Sequence, residues 1–210
     1  MASRQKSHPI FAAFFDRMSR SAEKRGMGDL RHELLAGASG RVVEIGAGTG
    51  RNFAHYPPAV SEVVATEPDP HMLRRATESL KDASVPLRLE QAPADRLPVE
   101  PDSVDTVVAT LVFCTIPDPA AALAEIRRVL KPGGRMLFLE HVRASEPRLA
   151  RWQDRCQPVW SVFGGGCRPN RDTPAAIEGA GFELDELVRF DFRPNAFLDK
   201  PHAKGVARKP

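Results

Sequence analysis

The stretch VVEIGAGTG at residues 42–50 constrains this chain more than any other. Val42, Val43 and Ile45 form a β-branched run suited to a buried strand, and the run carries one acid, Glu44. It then breaks into Gly46, Ala47, Gly48, Thr49 and Gly50. Glycine has no Cβ, so a strand that ends in alternating glycines and passes into a helix lets bare backbone approach a ligand. The spacing decides which ligand. The dinucleotide fingerprint G-x-G-x-x-G requires a glycine at position 51, where this chain has Arg51. A P-loop requires Gly-Lys-Ser/Thr at its end, and none follows.

Downstream, strand-like and helix-like segments alternate. Arg41–Ile45 reads as a first strand and Glu62–Thr66 as a second, followed by a helix from Pro70 to Leu80. Pro86–Glu90 reads as a third strand, and the β-branched run Val104–Thr110 as a fully buried fourth. A helix over Ala120–Leu130 is expected to stop at Pro132-Gly133-Gly134, with a fifth strand over Arg135–His141. Thr173 is the expected N-cap of a helix that has Pro174 in its first turn and Gly181 at its end. Phe182–Phe192 and His202–Arg208 read as two last strands. This order implies an α/β fold: a doubly wound, mostly parallel, seven-stranded Rossmann-like sheet with helices on both faces. Residues 1–38 read as an N-terminal cover of two helical pieces broken around Gly26-Met27-Gly28, and 39–210 as one domain.

In such a sheet ligands sit beyond the carboxyl ends of the strands, where the strand order reverses. The unusual residues fall at those ends. Glu67, about 20 residues past the glycines, is placed to accept ribose hydroxyls. The segments VVEIGAGTG, VVATEPDPHML, QAPADRLPVEPDSVDTVVAT and EIRRVLKPGGRMLFLE, spanning roughly residues 40–141, together resemble the ordered motifs of the methyltransferase type 11 group of class I S-adenosylmethionine (SAM) dependent methyltransferases. The resemblance implies SAM as cofactor. It places Gly46, Ala47, Gly48, Gly50 and Asn52 around its methionine end, with Glu44 in a supporting role. It also implies Glu67 and Pro68 at the ribose, Met72 against adenine, Ala94 and Asp95 at the adenine edge, and Thr110 near the sulfonium. Lys131-Pro132-Gly133-Gly134 reads as an architectural turn.

The acceptor side is expected in the 141–171 insertion, which leaves the fifth strand over the site. It holds His141, Trp152, Trp160, Cys156, Gly164-Gly165-Gly166-Cys167, Asn170 and Arg171. Aromatics with a few polar groups suit a small apolar acceptor, and Trp152, Cys156, Asn170 and Arg171 are its candidate contacts. With TLVFCTIPDP, this stretch is similar to a branch that includes small thiol methyltransferases and relatives labelled as lipid methyltransferases. Methyl transfer needs a base only if the acceptor arrives protonated, and His141 is the first candidate because imidazole titrates near neutrality. The spacing of His141, Cys156 and Cys167 fits no usual zinc set, so no metal is expected, and Cys114 reads as a small buried apolar residue.

Phe11, Phe14, Phe15 and Met18 follow helical spacing among basic residues. They read as a lid that brings Phe14 and Phe15 to the acceptor, with weak peripheral contact to a membrane surface as the alternative. A net charge of +3 without a basic run gives no reason to expect nucleic acid. Three cysteines without a CxxC pair point to reduced thiols and a cytoplasmic protein. The expected activity is methyl transfer from SAM to a small, apolar thiol, hydroxyl or amine. The competing readings are a nicotinamide-dependent oxidoreductase, which Arg51 disfavours, and a non-catalytic SAM-binding module.

Overall fold

The computed structural model describes residues 19–163, 166–195 and 198–210. Seven strands form one sheet: β1 Gly40–Ile45, β2 Val60–Thr66, β3 Leu87–Glu90, β4 Val104–Thr110, β5 Leu130–His141, β6 Glu183–Asn195 and β7 Leu198–Arg208. Their order is β3-β2-β1-β4-β5-β7-β6. The first five are parallel, and β7 and β6 complete the edge antiparallel. Strand order reverses between β1 and β4, so the crevice at their carboxyl ends is the switch point where doubly wound sheets bind ligands.

Five helices accompany the sheet: α1 Gly28–Leu35, α2 Pro70–Ser79, α3 Pro119–Val129, α4 Pro147–Phe163 and α5 Thr173–Gly179. Alternation in β1 explains how both faces become core. Val43 and Ile45 join the cluster containing Leu123 and Ile126 of α3 and Ile177 of α5. Val42 joins the opposite cluster with Leu34 and Leu35 of α1 and Ala76 of α2. Glu44, between these apolar residues, is thereby driven into the α1 side of the interior at 1% exposure.

Three helices begin alike, with an aspartate cap and a proline in the first turn. Asp69 accepts from the amides of His71 and Met72, Asp118 from Ala121, and Asp172 from Ala175. The cap of α5 is therefore Asp172 and not the expected Thr173, which is already helical. A carboxylate one residue earlier takes the orphan amide and carries favourable charge at the helix N-terminus.

One expected break is continuous. Pro132-Gly133-Gly134 is an irregularity inside β5, where pairing jumps from Val104↔Leu130 to Thr106↔Arg135. Gly133 N–H donates to the Lys209 carbonyl and Lys209 N–H to that of Gly134, which holds this bulge. The N-terminal helical pieces do break where expected: residues 19–22 are helical, the turn Glu23–Met27 kinks at Gly26, whose φ of 107° is non-helical, and α1 follows. Phe11, Phe14, Phe15 and Met18 lie outside the described residues. Among the described residues, no helix is long and apolar enough to cross a membrane.

Candidate active site

The glycine loop follows β1 directly, and its three glycines all have positive φ: 61° at Gly46, 59° at Gly48 and 77° at Gly50. Their surroundings differ. A Cβ on Gly46 would sit 2.2 Å from Val112 Cγ2, and one on Gly50 would sit 2.5 Å from the Phe53 ring. On Gly48 it would meet only the Gly46 carbonyl oxygen at 3.9 Å. Two glycines thus let the loop fold against the protein, and Gly48 alone leaves space. Beside it lies Glu67, at the end of β2. Its Oε2 accepts from the Gly48 amide and its Oε1 from the Asp69 amide, each at 2.9 Å. Burial pushes the carboxyl of Glu67 above its ordinary range, and the Asp69 and Gly48 amides pull it back. An open backbone cradle with a buried carboxylate at its edge suits a ligand carrying a ribose diol, and SAM fits this donor and acceptor set. Met72 is buried at the start of α2, Ala94 is half-buried, and Asp95 and Pro68 are exposed beside the same crevice end.

Under this cradle lies a buried polar network that sequence reasoning found only in part. Glu44 Oε2 accepts from the Tyr56 hydroxyl at 2.7 Å, and Oε1 from Asn52 Nδ2 at 3.0 Å. The same Asn52 amide reaches Thr110 Oγ1 at 2.9 Å. Arg31, from α1, donates one guanidinium nitrogen to Asn52 Oδ1 at 2.8 Å and Thr110 Oγ1 at 2.9 Å, and its Nε to Glu23 at 3.1 Å. Asn52 and Thr110 are therefore engaged with protein partners, and the N-terminal cover is tied to the ends of β1 and β4. Neither Arg31 nor Tyr56 stands in a motif. Burial raises Glu44 to about 7, against the lowering effects of Tyr56, Arg31 and Asn52. Next to Thr110, Leu111 takes φ 56°, rare for a non-glycine residue. Its amide is held by the Leu139 carbonyl at 2.7 Å.

On the other side of the crevice, Glu140 near the end of β5 is fully buried. Its Oε1 accepts from the amides of Val112 and Phe113 at 2.8 and 3.0 Å, while Oε2 is buried without a partner. Burial raises this carboxyl to about 8, against the lowering effects of the Phe113, Val112 and Cys114 amides. A carboxyl whose folded pKa is raised stabilises the fold in its protonated state. That contribution is present below the unfolded pKa and is lost as pH rises through about 7 for Glu44 and about 8 for Glu140. His202, 1% exposed, runs the other way. Burial first, then the neighbouring His141, lowers it from 6.5 to about 3, so its contribution is lost as pH falls below 6.5.

The 141–171 segment forms α4, and between it, the end of β5 and β7 lies a pocket of about 530 Å³ including its open mouth. Its wall includes His141, Trp152, Cys156, Trp160, Cys167 and Lys200. Trp152 stands at the surface, 51% exposed, and Lys200 Nζ lies 4.3 Å from the Trp160 ring centroid. Two expected contacts are not brought to this pocket. Asn170 donates to Asp154 at 3.0 Å. Arg171 donates to the carbonyls of Phe113 and Ile116, which fixes the loop after β4. Their donors serve architecture because the chain must clamp two loops together here. Phe14 and Phe15 lie outside the described residues.

His141 meets two sulfurs. Its Nδ1 lies 3.8 Å from Cys114 Sγ and 3.9 Å from Cys167 Sγ. Cys114 is buried, as expected, but it is no mere filler. The hydrogen bond with Cys114, assisted by His141, holds the Cys167 thiol well below its ordinary range, and the Cys114 thiol is pushed up in return.

A doubly wound sheet of this order, with an open glycine cradle and a ribose-type acid at the switch point, defines a class I SAM-dependent methyltransferase. The chain belongs to this family. A family profile described as "Methyltransferase domain" matches residues 43–138. The human thiol S-methyltransferase TMT1B is 39% identical over 182 residues, covering 83% of this chain and 74% of that protein. Human thiol S-methyltransferase TMT1A is 34% identical over 182 residues with the same coverage. The crystal structure of the N-methyltransferase NodS from Bradyrhizobium japonicum WM9, in complex with S-adenosyl-L-homocysteine, matches the fold with a TM-score of 0.62 at 19% identity. That match covers 93% of this chain and 86% of NodS. The chain is a SAM-dependent methyltransferase of small acceptors.

Proposed function

We propose that the acceptor is a small apolar thiol and that the pocket beneath α4 receives it. The observation that carries this reading is the pocket wall, where indole, proline and cysteine surfaces surround His141 and Cys167 at the end of β5. The similarity to proteins named thiol S-methyltransferases supports the choice of sulfur. SAM supplies an activated methyl group; the chain supplies binding and alignment. Glu67, oriented by the Gly48 and Asp69 amides, takes the cofactor's ribose hydroxyls, and the Arg31–Asn52–Thr110 network fixes the glycine loop against the end of β4. Trp152 and Trp160 desolvate the acceptor and limit its motion, and such alignment lowers a bimolecular barrier by up to ~7–11 kcal/mol. His141, with Nδ1 turned to two sulfurs, takes or relays the acceptor proton through the ring's other nitrogen. Weak contact of the chain with an anionic bilayer is a separate reading, tested by vesicle sedimentation.

The test is a panel of matched thiols, phenols and amines with labelled SAM, read by product mass. Methylation of the thiols alone is expected. Amines or phenols turned over in preference to thiols would overturn the assignment. Trp152→Ala should raise KM for an apolar thiol several-fold with little change in kcat, since the indole packs on ground and transition states alike. A loss confined to kcat would place Trp152 outside acceptor binding.

A further inference from the structure

We propose that Cys114, His141 and Cys167 form a binding site for a thiophilic divalent cation of the zinc class, with a fourth position open to the acceptor pocket. The three donor atoms, two Sγ and one Nδ1, all lie within 4.8 Å of one another. Zinc bonds of about 2.3 Å to sulfur and 2.0–2.1 Å to nitrogen, at tetrahedral angles, require S···N separations of about 3.5 Å. The observed S···N values of 3.8 and 3.9 Å need a closure of a few tenths of an ångström, and the two sulfurs, which lie within 4.8 Å, must come to about 3.8 Å. Two thiolates and one imidazole make the soft, mixed donor set that zinc takes in sites with one position left for substrate.

The cluster is assembled from three distant segments: the loop after β4, the end of β5 and the loop between α4 and α5. What holds them does not depend on the sulfurs. Arg168 N–H donates to the Cys114 carbonyl at 2.7 Å, and Arg171 donates to the carbonyls of Phe113 and Ile116. Gln153 donates to the carbonyls of Val142 and Pro169 and accepts from the Ala144 amide. The donors are thus preorganised by backbone clamps, as a metal site requires. Cys114 is sealed from the pocket, whereas His141 and Cys167 form part of its wall, so the fourth position faces the cavity. Cys156 also lines the pocket but is not one of the three donors.

The consequence for chemistry rests on the thiol reading above. With Nδ1 on the metal, His141 keeps its proton on Nε2 and no longer serves as the base: an acceptor thiol enters the fourth position, its S–H bond breaks, the proton leaves to water and the sulfur pair forms the metal–sulfur bond. The acceptor is then a thiolate at neutral pH, oriented by the metal.

The experiment uses the full reduced chain and the metal ions themselves. Metal analysis of protein purified without chelator should give one zinc per chain. Cobalt(II) added after chelation should produce sulfur-to-cobalt charge-transfer bands and the intense visible bands of a tetrahedral site. Cys114→Ser and Cys167→Ser should lose these bands, and Cys156→Ser should keep them. In the unsubstituted chain, zinc should slow alkylation of Cys167, which lines the pocket, relative to the chelated protein, a readout that requires no variant to fold; Cys114 is shielded by burial in either case. Absence of the cobalt bands with all thiols reduced overturns the site, as does equal loss in Cys156→Ser. A small thiol should shift the visible bands, and an alcohol of the same shape should not. If the chelated protein still methylates thiols at the full rate, thiol specificity stands and metal activation falls.

Discussion

Arg31→Met removes a side chain that joins the N-terminal helical region to Asn52, in the loop after β1, and to Thr110 at the end of β4. Arg31 is 7% exposed, so water does not replace what is lost. Its ion pair with Glu23 at 3.1 Å and its bonds to Asn52 Oδ1 and Thr110 Oγ1 all disappear. Hydrogen bonds to a charged donor contribute ~1.5–3 kcal/mol each, and removing one partner of a buried pair costs ~3–5 kcal/mol. Methionine recovers part of this by filling the volume apolarly. Asn52 still donates to Glu44 and Thr110, although its Oδ1 is left buried without a donor. The expected net loss is ~2–4 kcal/mol, which for a chain of this size lowers Tm by roughly 4–16 °C. Arg31→Lys should rescue little, because one ammonium cannot reach the Nε and terminal-nitrogen partners together.

Calorimetric melting and urea unfolding measure this loss, and a cycle with Asn52→Ala isolates the shared bond. The coupling energy should be ~1–3 kcal/mol. If the two substitutions add within about 0.5 kcal/mol, Arg31 and Asn52 act independently and the network has no cooperative role. A folded Arg31→Met protein with unchanged stability would refute the burial argument itself.

Glu67→Ala should weaken S-adenosylhomocysteine binding roughly tenfold to 150-fold by calorimetry, the loss of charge-assisted bonds worth ~1.5–3 kcal/mol; unchanged affinity in a folded variant would place the ribose elsewhere. Gly48→Val should abolish binding while leaving a folded protein, because its side chain enters the open cradle. Gly46→Ala should instead lower Tm, because its Cβ meets Val112 at 2.2 Å. Glu44→Gln isolates one group of several that titrate: the stability of the parent chain relative to this variant, from urea unfolding, should fall as pH rises from the ordinary carboxylate range to about 7 and then level off. A relative stability that rises over that window would contradict the assigned shift.

The segment from β1 to Glu67 was legible because its information is local. β1, its glycine loop and Glu67 lie within 28 consecutive residues, from Gly40 to Glu67. Period-two burial and positive-φ glycines write themselves into such a stretch. The strand spans were readable for the same reason, to within a few residues. The misses are instructive in kind. Pro132-Gly133-Gly134 reads as a turn by composition, yet the pairing of Lys209 with this segment turns it into a bulge, and that partner lies 75 residues away. Thr173 is a good cap by type, and Asp172 is a better one that stands one place earlier.

The buried networks around the crevice resisted sequence reading because they are made by convergence. Arg31 and Thr110 meet across 79 positions, and Arg171 reaches Phe113 across 58. No spacing rule connects residues so far apart; only the sheet order β1-β4-β5 brings their loops to one crevice. The same order explains why Cys156 and not Cys114 was grouped with His141. Along the chain Cys156 is 15 residues from His141 and Cys114 is 27. In space, Cys114 follows β4 and His141 ends β5. Those strands are hydrogen-bonded neighbours, with Thr110 opposite Leu139, so the residues just beyond them share one rim. Cys167 joins them because Arg168 and Arg171 clamp its loop to the carbonyls after β4. A reading that first fixes strand order and then asks which polar residues lie within four or five positions of neighbouring carboxyl ends would have selected Cys114 and His141 together. In a doubly wound sheet, chemistry on the acceptor side is therefore to be sought by adjacency of strand ends, and motif spacing is the guide only where one loop holds the ligand.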